Sequence, residues 1–213
     1  MDAYVGFYWT FPVNWNGFRS LPIDVKSAAA ASRTIRYQME RARRYVGEND
    51  GRLVEEIVFM DARPDRATEF VREPLDRARR SCVAHRGILL YVEFDRDKFW
   101  RHNLPLRNCL RDWGESRAVP LPPDPLIIDG KLFNPGEHFQ EWRDRDREAM
   151  ANLDRRARDG LVAAVSEIPE KRGRYRQIAD VLNEREIRTF NGGRWTPENV
   201  RKALRRGKAE NSG

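Results

Sequence analysis

The sequence predicts an α/β protein with a parallel-sheet N-terminal domain, a long connecting helix and a small all-α C-terminal domain. Short apolar segments alternate with amphipathic helical segments through the first half of the chain, which is the pattern of a parallel sheet flanked by helices. A proline-rich stretch and a long, highly charged helical pattern follow. The excess of basic residues is confined to the segment that begins at Lys171, which also carries helix start signals.

The N-terminal domain is expected over residues 1–115. Hydrophobic periodicity and turn residues separate its strands from its helices. The third strand is apolar on both faces, as expected of a central strand in a parallel sheet. The predicted elements are strand 3–9, loop 10–27, helix 28–46, strand 53–60, helix 70–83, strand 88–94 and helix 97–111.

A linker is expected over 116–135, because prolines cluster between Val119 and Pro125. Within it, residues 127–133 predict a small hairpin that turns at Asp129-Gly130, a dipeptide that favours the positive φ angles of tight hairpin turns.

The connecting helix is expected over 136–160. Asn134 is a suitable N-cap and Pro135 a suitable first helical residue. Apolar residues lie on one side of this helix and charged residues on the others. Gly160 predicts an end or a kink, followed by a separate short helix over 161–168.

The C-terminal domain is expected over 161–207, with a disordered tail over 208–213. A second helix is predicted over 175–185, and a third begins with Thr196 as N-cap and Pro197 as first residue. Three short helices around a small core have the size of a helix-turn-helix unit. The predicted core residues are Ile168, Ile178, Leu182, Ile187, Trp195, Val200 and Leu204.

Charge distribution indicates the partner. The segment from Lys171 onward has 12 basic and 5 acidic residues, a surplus equal to the net charge of +7 of the whole protein. A neutral body with a basic C-terminal domain is expected where one segment neutralises the phosphates of duplex DNA. Asn near the start of the last helix can bind adenine, and Arg or Lys can bind guanine. The candidate DNA-binding residues are Arg174, Arg176, Arg188, Thr189, Arg194, Thr196, Asn199, Arg201, Lys202 and Arg205.

Other features argue against several classes of function. Two cysteines, Cys82 and Cys109, form no disulfide framework, which predicts a reducing cytoplasm and, for a DNA-bound protein, the nucleoid. No apolar run approaches the ~20 residues of a membrane span, so no membrane partner is expected. The histidines His85, His102 and His138 are scattered without carboxylates or cysteines at ligand spacing, so no metal is expected. The sequence has no glycine-rich phosphate loop, since Asn191-Gly-Gly193 is a turn before a helix, and no cofactor is expected.

The segment from Ile178 to Leu204 carries an ordered series of motif residues. It contains an Ile-Ala helix ending in Leu-Asn, then Ile and Thr, a glycine-rich turn, Trp, and a helix with Val and Leu four positions apart. This series resembles the C-terminal DNA-binding module of the serine site-specific recombinases of the resolvase and invertase type. Glu186 stands where that family usually has Gly, so the turn after the second helix is expected to differ.

The N-terminal half resembles the same family through shorter segments. The resemblance implies a catalytic α/β domain and a long helix that contributes to a homodimer or higher oligomer. The segments concerned are Tyr4-Val5, the helix from Ser32 through Gln38 to Val46, Val58-Phe-Met-Asp61, Val71-Arg72 and the strand from Tyr91 to Asp95-Arg96.

The family's chemistry is where the sequence departs from it. Those recombinases attack a DNA phosphate with the serine of a Tyr-x-Arg-x-Ser motif, and arginines neutralise the developing charge. Here Gly6 replaces that arginine, Tyr8 replaces the serine, and Phe99 replaces the second arginine of an Asp-Arg-Leu-x-Arg motif. The resemblance leaves Tyr8, Arg72, Asp95 and Arg96 as vestiges of a catalytic site. The sequence thus predicts a DNA-binding protein that no longer cuts DNA.

Three alternatives stay open at this point. The chain could be an active recombinase with a relocated nucleophile, for which Tyr8, Thr10 and Ser20 are the candidate hydroxyls. It could be a protein-interaction scaffold whose basic segment is only a solvated face. The aromatic stretch 7–15 could be a binding platform or a dimer contact, although packing of the 10–27 loop over the sheet is the preferred interpretation.

Overall fold

The computed structural model describes residues 1–13, 16–63, 67–94, 103–113 and 118–210, with side chains described as far as Arg206. Two compact units are present, Met1–Trp142 and Arg143–Gly213. Each unit has a hydrophobic core of its own.

Unit 1 is built on a four-stranded parallel sheet, so the predicted α/β class is confirmed. The strands are β1 Ala3–Thr10, β2 Arg52–Met60, β3 Ile88–Val92 and β4 Ala118–Leu121. Their order across the sheet is β2-β1-β3-β4, which leaves β2 and β4 at the edges. The continuous apolar runs of β1 and β3 fit their central places, because a strand buried on both faces needs no polar alternation.

Helices connect the strands. They are α1 Val25–Ala31, α2 Arg33–Glu48, α3 Arg72–His85, which follows a 3-10 turn at Glu69–Val71, and α4 Leu104–Arg111. The chain moves from β1 outward to β2 and then back across β1 to β3. Because such crossovers are right-handed, this reversal places α2 and α3 on opposite faces of the sheet. Both pack against β1, which explains the burial of that strand.

The prediction of a single helix over 28–46 is wrong, because Ser32 separates two helices, α1 and α2. Ser32 has an extended backbone, with φ −137° and ψ 116°, and its hydroxyl accepts a hydrogen bond from the Ile35 amide at 3.3 Å. It therefore ends α1 and caps α2. The apolar stripe continues across the break, so periodicity alone did not reveal it.

Part of the predicted linker over 116–135 belongs to the sheet. Residues Ala118–Leu121 form β4, in which Pro120 is paired with Tyr91 of β3. An edge strand tolerates proline because alternate N–H groups point away from the sheet. The hairpin predicted in the same segment is confirmed as β5 Leu126–Ile128 and β6 Lys131–Phe133. Its turn residues Asp129 and Gly130 have φ angles of 49° and 75°.

The aromatic stretch after Gly6 packs into the core of unit 1. Phe7, Tyr8, Trp9 and Phe11 are all buried, and Val13 is buried beside them. The Trp9 ring meets Phe11 edge-on at 5.4 Å and Phe94 at 5.8 Å. Packing, rather than an exposed platform, is thus the outcome for the described part of 7–15, while 14–15 lie outside the described residues.

Unit 2 is all α. It contains most of α5 Pro135–Glu167, together with α6 Arg174–Glu184 and α7 Pro197–Glu210. α5 begins in unit 1 as predicted, with the Asn134 side chain accepting from the Gly136 amide at 3.0 Å. The unit 2 core consists of Ala157, Leu161, Ala164, Ile168, Ile178, Ala179, Leu182, Trp195 and Val200, with Ile187 and Leu204 packed against it. α7 continues to Glu210, so the predicted disordered tail is wrong for 208–210, and 211–213 lie outside the described residues.

The predicted helix end at Gly160 is wrong, and with it the separate short helix over 161–168, since α5 continues through Gly160 to Glu167. A Cβ on Gly160 would lie 2.6 Å from Cδ1 of Ile187 and 3.3 Å from Cδ2 of Leu182. The glycine therefore permits a close approach between α5 and the segment after α6, and it does not interrupt the helix.

Gly160→Ala should destabilise unit 2 by about 1 kcal/mol, because overpacking of about 1–3 kcal/mol exceeds the ~1 kcal/mol gained in helix propensity. Gly47→Ala is the matched control, since Gly47 lies in α2 with no atom within 4 Å of an added Cβ. That change should stabilise unit 1. Denaturant unfolding measures both. Ile187→Val removes the Cδ1 atom but keeps Cγ2, which lies 3.0 Å from the added Cβ, so it should rescue Gly160→Ala in part. Stabilisation by Gly160→Ala alone would contradict the packing argument.

No helix among the described residues has the length and hydropathy needed to cross a membrane.

Candidate nucleic-acid interface

α7 begins as the sequence predicts. The Thr196 hydroxyl accepts from the Asn199 amide at 3.2 Å, and its carbonyl accepts from the Val200 amide at 3.1 Å. Thr196, Pro197 and Asn199 are all exposed. The first turn of α7 therefore presents its backbone N–H end and the Asn199 amide to solvent, which is the arrangement that suits an anion or a base edge.

Asn183, near the end of α6, holds α7 in place through the preceding residue. Its side-chain NH2 donates to the Trp195 carbonyl at 2.9 Å, and its Oδ1 accepts from the Trp195 amide at 2.9 Å. The Trp195 side chain is buried and meets the Phe190 ring edge-on at 5.8 Å. Sequence reasoning included Asn183 in a motif but assigned it no role, although the pair of Asn before the turn and Trp after it was a usable signal.

Thr189 closes the loop between α6 and α7. It is buried. Its hydroxyl accepts a hydrogen bond from the Gly193 amide at 3.0 Å, and its own amide donates to the Gly193 carbonyl at 2.9 Å. The hydroxyl predicted to contact DNA is thus used inside the chain. Its effect is to bring Arg188 and Arg194, which flank the closed loop, to the same end of the unit.

Four of the predicted DNA-binding arginines are exposed and form no ion pair with any residue that the structure describes. They are Arg176, Arg188, Arg194 and Arg205. Arg206 is not among the predicted residues, but it is also exposed and forms no ion pair with any residue that the structure describes. Unpaired cations on a surface have no internal charge to neutralise, so they are available to phosphates.

Arg201 and Lys202 share one acidic neighbour. Glu198 receives two hydrogen bonds from Arg201, at 2.7 Å and 2.9 Å, and lies 3.7 Å from the Lys202 ammonium. The bond from Arg201 lowers the pKa of Glu198, so the carboxylate stays ionised and offsets part of the positive charge beside it. Sequence reasoning missed this role of Glu198, which the spacing of three and four residues along the helix would have indicated.

Arg174 lies apart from the exposed cations. Its side chain is largely buried and donates to the Val165 carbonyl at 2.7 Å and to Glu170 at 2.8 Å. These bonds join the end of α5 to the start of α6. The position predicted as a DNA contact thus has a structural use within unit 2.

Residues 160–208 match the family model Recombinase.

The matched segment includes the end of α5 and nearly all of the rest of unit 2. It supports a relationship to recombinases for this part of the chain, in agreement with the resemblance seen between Ile178 and Leu204. No curated protein and no solved structure matches the chain significantly.

Within the Recombinase segment, Glu186 has a φ of 54°, in the left-handed region that favours glycine. The amides of Glu186 and Ile187 donate to the carbonyls of Asn183 and Leu182, at 3.1 Å and 2.9 Å. The turn therefore keeps the left-handed geometry that ends many helices, with Glu in place of Gly. Glu186 thus adopts the φ that favours glycine, while the expected difference from the family's turn stays a prediction.

Outside the Recombinase segment, the vestigial catalytic candidates do not form a common site among the described residues. Tyr8 is fully buried, and its phenol donates a hydrogen bond to the Glu56 carboxylate at 2.9 Å. Arg43 forms an ion pair with the same carboxylate at 2.7 Å. Burial, with Glu56 next to it, raises the pKa of Tyr8 well above its ordinary value. The phenol covers Gly6 so closely that a Cβ at that position would overlap it.

The remaining candidates are placed elsewhere or not described. Arg72 begins α3, is exposed and pairs with Glu69. Asp95 and Arg96 lie outside the described residues, as does Phe99. Among the residues that the structure describes, no three His, Cys, Asp or Glu side chains come together as metal ligands.

Proposed function

We propose that the chain is a recombinase-related protein that binds duplex DNA through unit 2 and does not cleave it. In this proposal α6 and α7 act as a helix-turn-helix, with α7 in the major groove. The observation that carries the proposal is the group of exposed, unpaired arginines on α6, on the loop before α7 and on α7 itself, all within the segment that matches Recombinase.

The charges and the helix geometry fit this function together. Arg188 and Arg194 flank the closed loop, and Arg205 lies further along α7, so phosphates on both sides of a groove could be neutralised. Asn199 and Lys202 are exposed near the start of α7, where side chains reach base edges. A homodimer or higher oligomer would place two such helices on half-sites about one DNA turn apart. In a cell we expect the protein at the nucleoid.

The buried state of Tyr8 supports the absence of cleavage. A nucleophile must reach a phosphate and lose its proton, whereas this phenol is enclosed and its pKa is raised. Thr10 is also buried, and its hydroxyl donates to the Phe11 carbonyl at 3.4 Å. Ser20 is the exposed hydroxyl among the three named candidates.

Binding is tested by fluorescence anisotropy with a labelled duplex at several salt concentrations. We expect the logarithm of the binding constant to fall linearly with the logarithm of the salt concentration, by about 0.9 for each phosphate neutralised. Salt-independent or undetectable binding would remove the proposed function and favour the scaffold alternative.

Cleavage is tested separately. After incubation with supercoiled DNA, we expect neither relaxation nor a covalent protein–DNA adduct on denaturing gels, because the described hydroxyls at β1 are enclosed. An adduct that disappears in Ser20→Ala would establish a relocated nucleophile and overturn the proposed loss of cleavage, while leaving the binding result intact.

A further inference from the structure

A groove of about 910 Å³ lies in unit 2 between the second half of α5 and α7. Asn199, Lys202 and Arg206 line its α7 side, so they follow one face of that helix. This face is adjacent to the one that carries Arg201 and Arg205. Asn199 and Lys202 also belong to the proposed duplex contact, but that contact does not account for the apolar lining of the groove.

The floor of the groove is apolar. It is lined by Leu161 and Val165 of α5 on one side and by Phe190 and Leu204 on the other. Val162, between the two α5 residues, leaves 70% of its surface exposed. A single exposed valine is ordinary, but here it extends an apolar surface that is already concave, which is the form of an interaction site.

The rim of the groove is mainly positive. Arg158, Lys202 and Arg206 border it, against Asp154 as the acidic residue. Asp154 pairs with Arg158 at 3.1 Å, and Lys202 lies 3.7 Å from Glu198. Arg206 forms no ion pair within the described part of the chain. A complementary ligand therefore combines apolar and acidic groups.

A duplex does not satisfy this combination, because its outer surface presents phosphates and sugars that gain little from Val162 and Phe190. A helix does, since a groove between two helices accepts the apolar stripe of a third and leaves its polar faces at the rim. An acidic amphipathic helix matches both the floor and the rim.

We propose that this groove binds an acidic amphipathic helix of a partner protein. Asn199 and Lys202 belong both to the groove and to the proposed duplex contact, so the bound helix covers them and excludes DNA from α7. This exclusion rests on the proposed function, whereas binding of the helix itself does not.

The test uses the full chain and a fluorescein-labelled peptide of leucine, alanine and glutamate, with leucine at helical spacing. We expect saturable binding that Val162→Asp weakens at least about tenfold, the loss typical of a central interface residue. Val83→Asp is the matched control, because Val83 is a valine 59% exposed on α3 of unit 1. Arg206→Glu should weaken the glutamate peptide and strengthen a version carrying lysine in its place.

Three results would overturn the proposal. The first is the absence of saturable peptide binding, and the second is equal peptide binding by the wild type and Val162→Asp. The third is a loss of duplex affinity in Val162→Asp as large as its loss of peptide affinity, which would assign the groove to DNA. Unlabelled duplex should displace the peptide, and simultaneous binding of both at full affinity would overturn the exclusion. If the wild-type chain binds no duplex at all, the proposed function fails and the peptide titration alone decides the groove.

Discussion

Replacing Arg201 and Lys202 together with alanine should lower duplex affinity at low salt by about tenfold or more. It should also reduce the salt slope, the slope of the logarithm of the binding constant against the logarithm of the salt concentration, by roughly 2, because each phosphate that is no longer neutralised removes about 0.9. The structure strengthens this expectation. Removal of both cations leaves Glu198, which they now neutralise, as an uncompensated negative charge on the helix that we propose binds DNA. Anisotropy titrations at several salt concentrations measure both quantities.

Two further variants make this experiment selective. Arg79→Ala with Arg80→Ala removes the same two charges from an exposed part of α3 in unit 1, and it should leave the salt slope unchanged. Glu198→Gln frees Arg201 and Lys202 for phosphates, so it should raise duplex affinity severalfold. Equal slopes for the wild type and the Arg201/Lys202 variant would remove both residues from the interface.

Asn183→Ala should destabilise unit 2 by about 2–3 kcal/mol, because it leaves the amide and carbonyl of Trp195 without their partner. Trp195 leads directly into the cap of α7, so its release also loosens the helix that the proposal assigns to DNA. We therefore expect weaker duplex binding together with a lower denaturation midpoint. Denaturant unfolding and anisotropy on the same preparation measure the two effects.

The control for this variant is Asn152→Ala, an identical change at an exposed position of α5, where the side chain accepts one bond from Arg155. It should alter stability by less than about 0.5 kcal/mol. Asn183→Asp keeps the acceptor for the Trp195 amide but loses the donor to the carbonyl, so it should lie between the wild type and Asn183→Ala. A loss of stability no larger for Asn183→Ala than for Asn152→Ala would show that the paired bonds do not hold α7.

The features that the sequence predicted correctly depend on neighbours along the chain. The turn at Asp129-Gly130 needs only residues that accept positive φ, and the start of α7 needs only a cap at Thr196 followed by Pro197. The strands β1, β2 and β3 follow from short apolar runs between turns. The basic character of the C-terminal segment is a property of composition and is independent of folding.

The errors and omissions concern distant partners. In the sequence alone Gly160 indicates a helix break. In the folded structure the Ile187 side chain packs against Gly160, which explains why a side chain is excluded there. Pro120 looks like part of a linker until β3 provides a sheet edge that accepts it. Thr189 and Arg174 have the chemistry of DNA contacts, yet Gly193 and Val165 engage their hydrogen-bonding groups within the chain.

The amino-acid sequence by itself therefore determined the α/β class, the helices α6 and α7 and the place of the positive charge, because periodicity, caps and composition act over a few residues. Only the tertiary structure decided which of those charges are free, that the Tyr8 phenol is enclosed, and that α5 and α7 border an apolar groove. Burial and pairing depend on side chains far apart in the chain, so their effect appears only once the chain is folded.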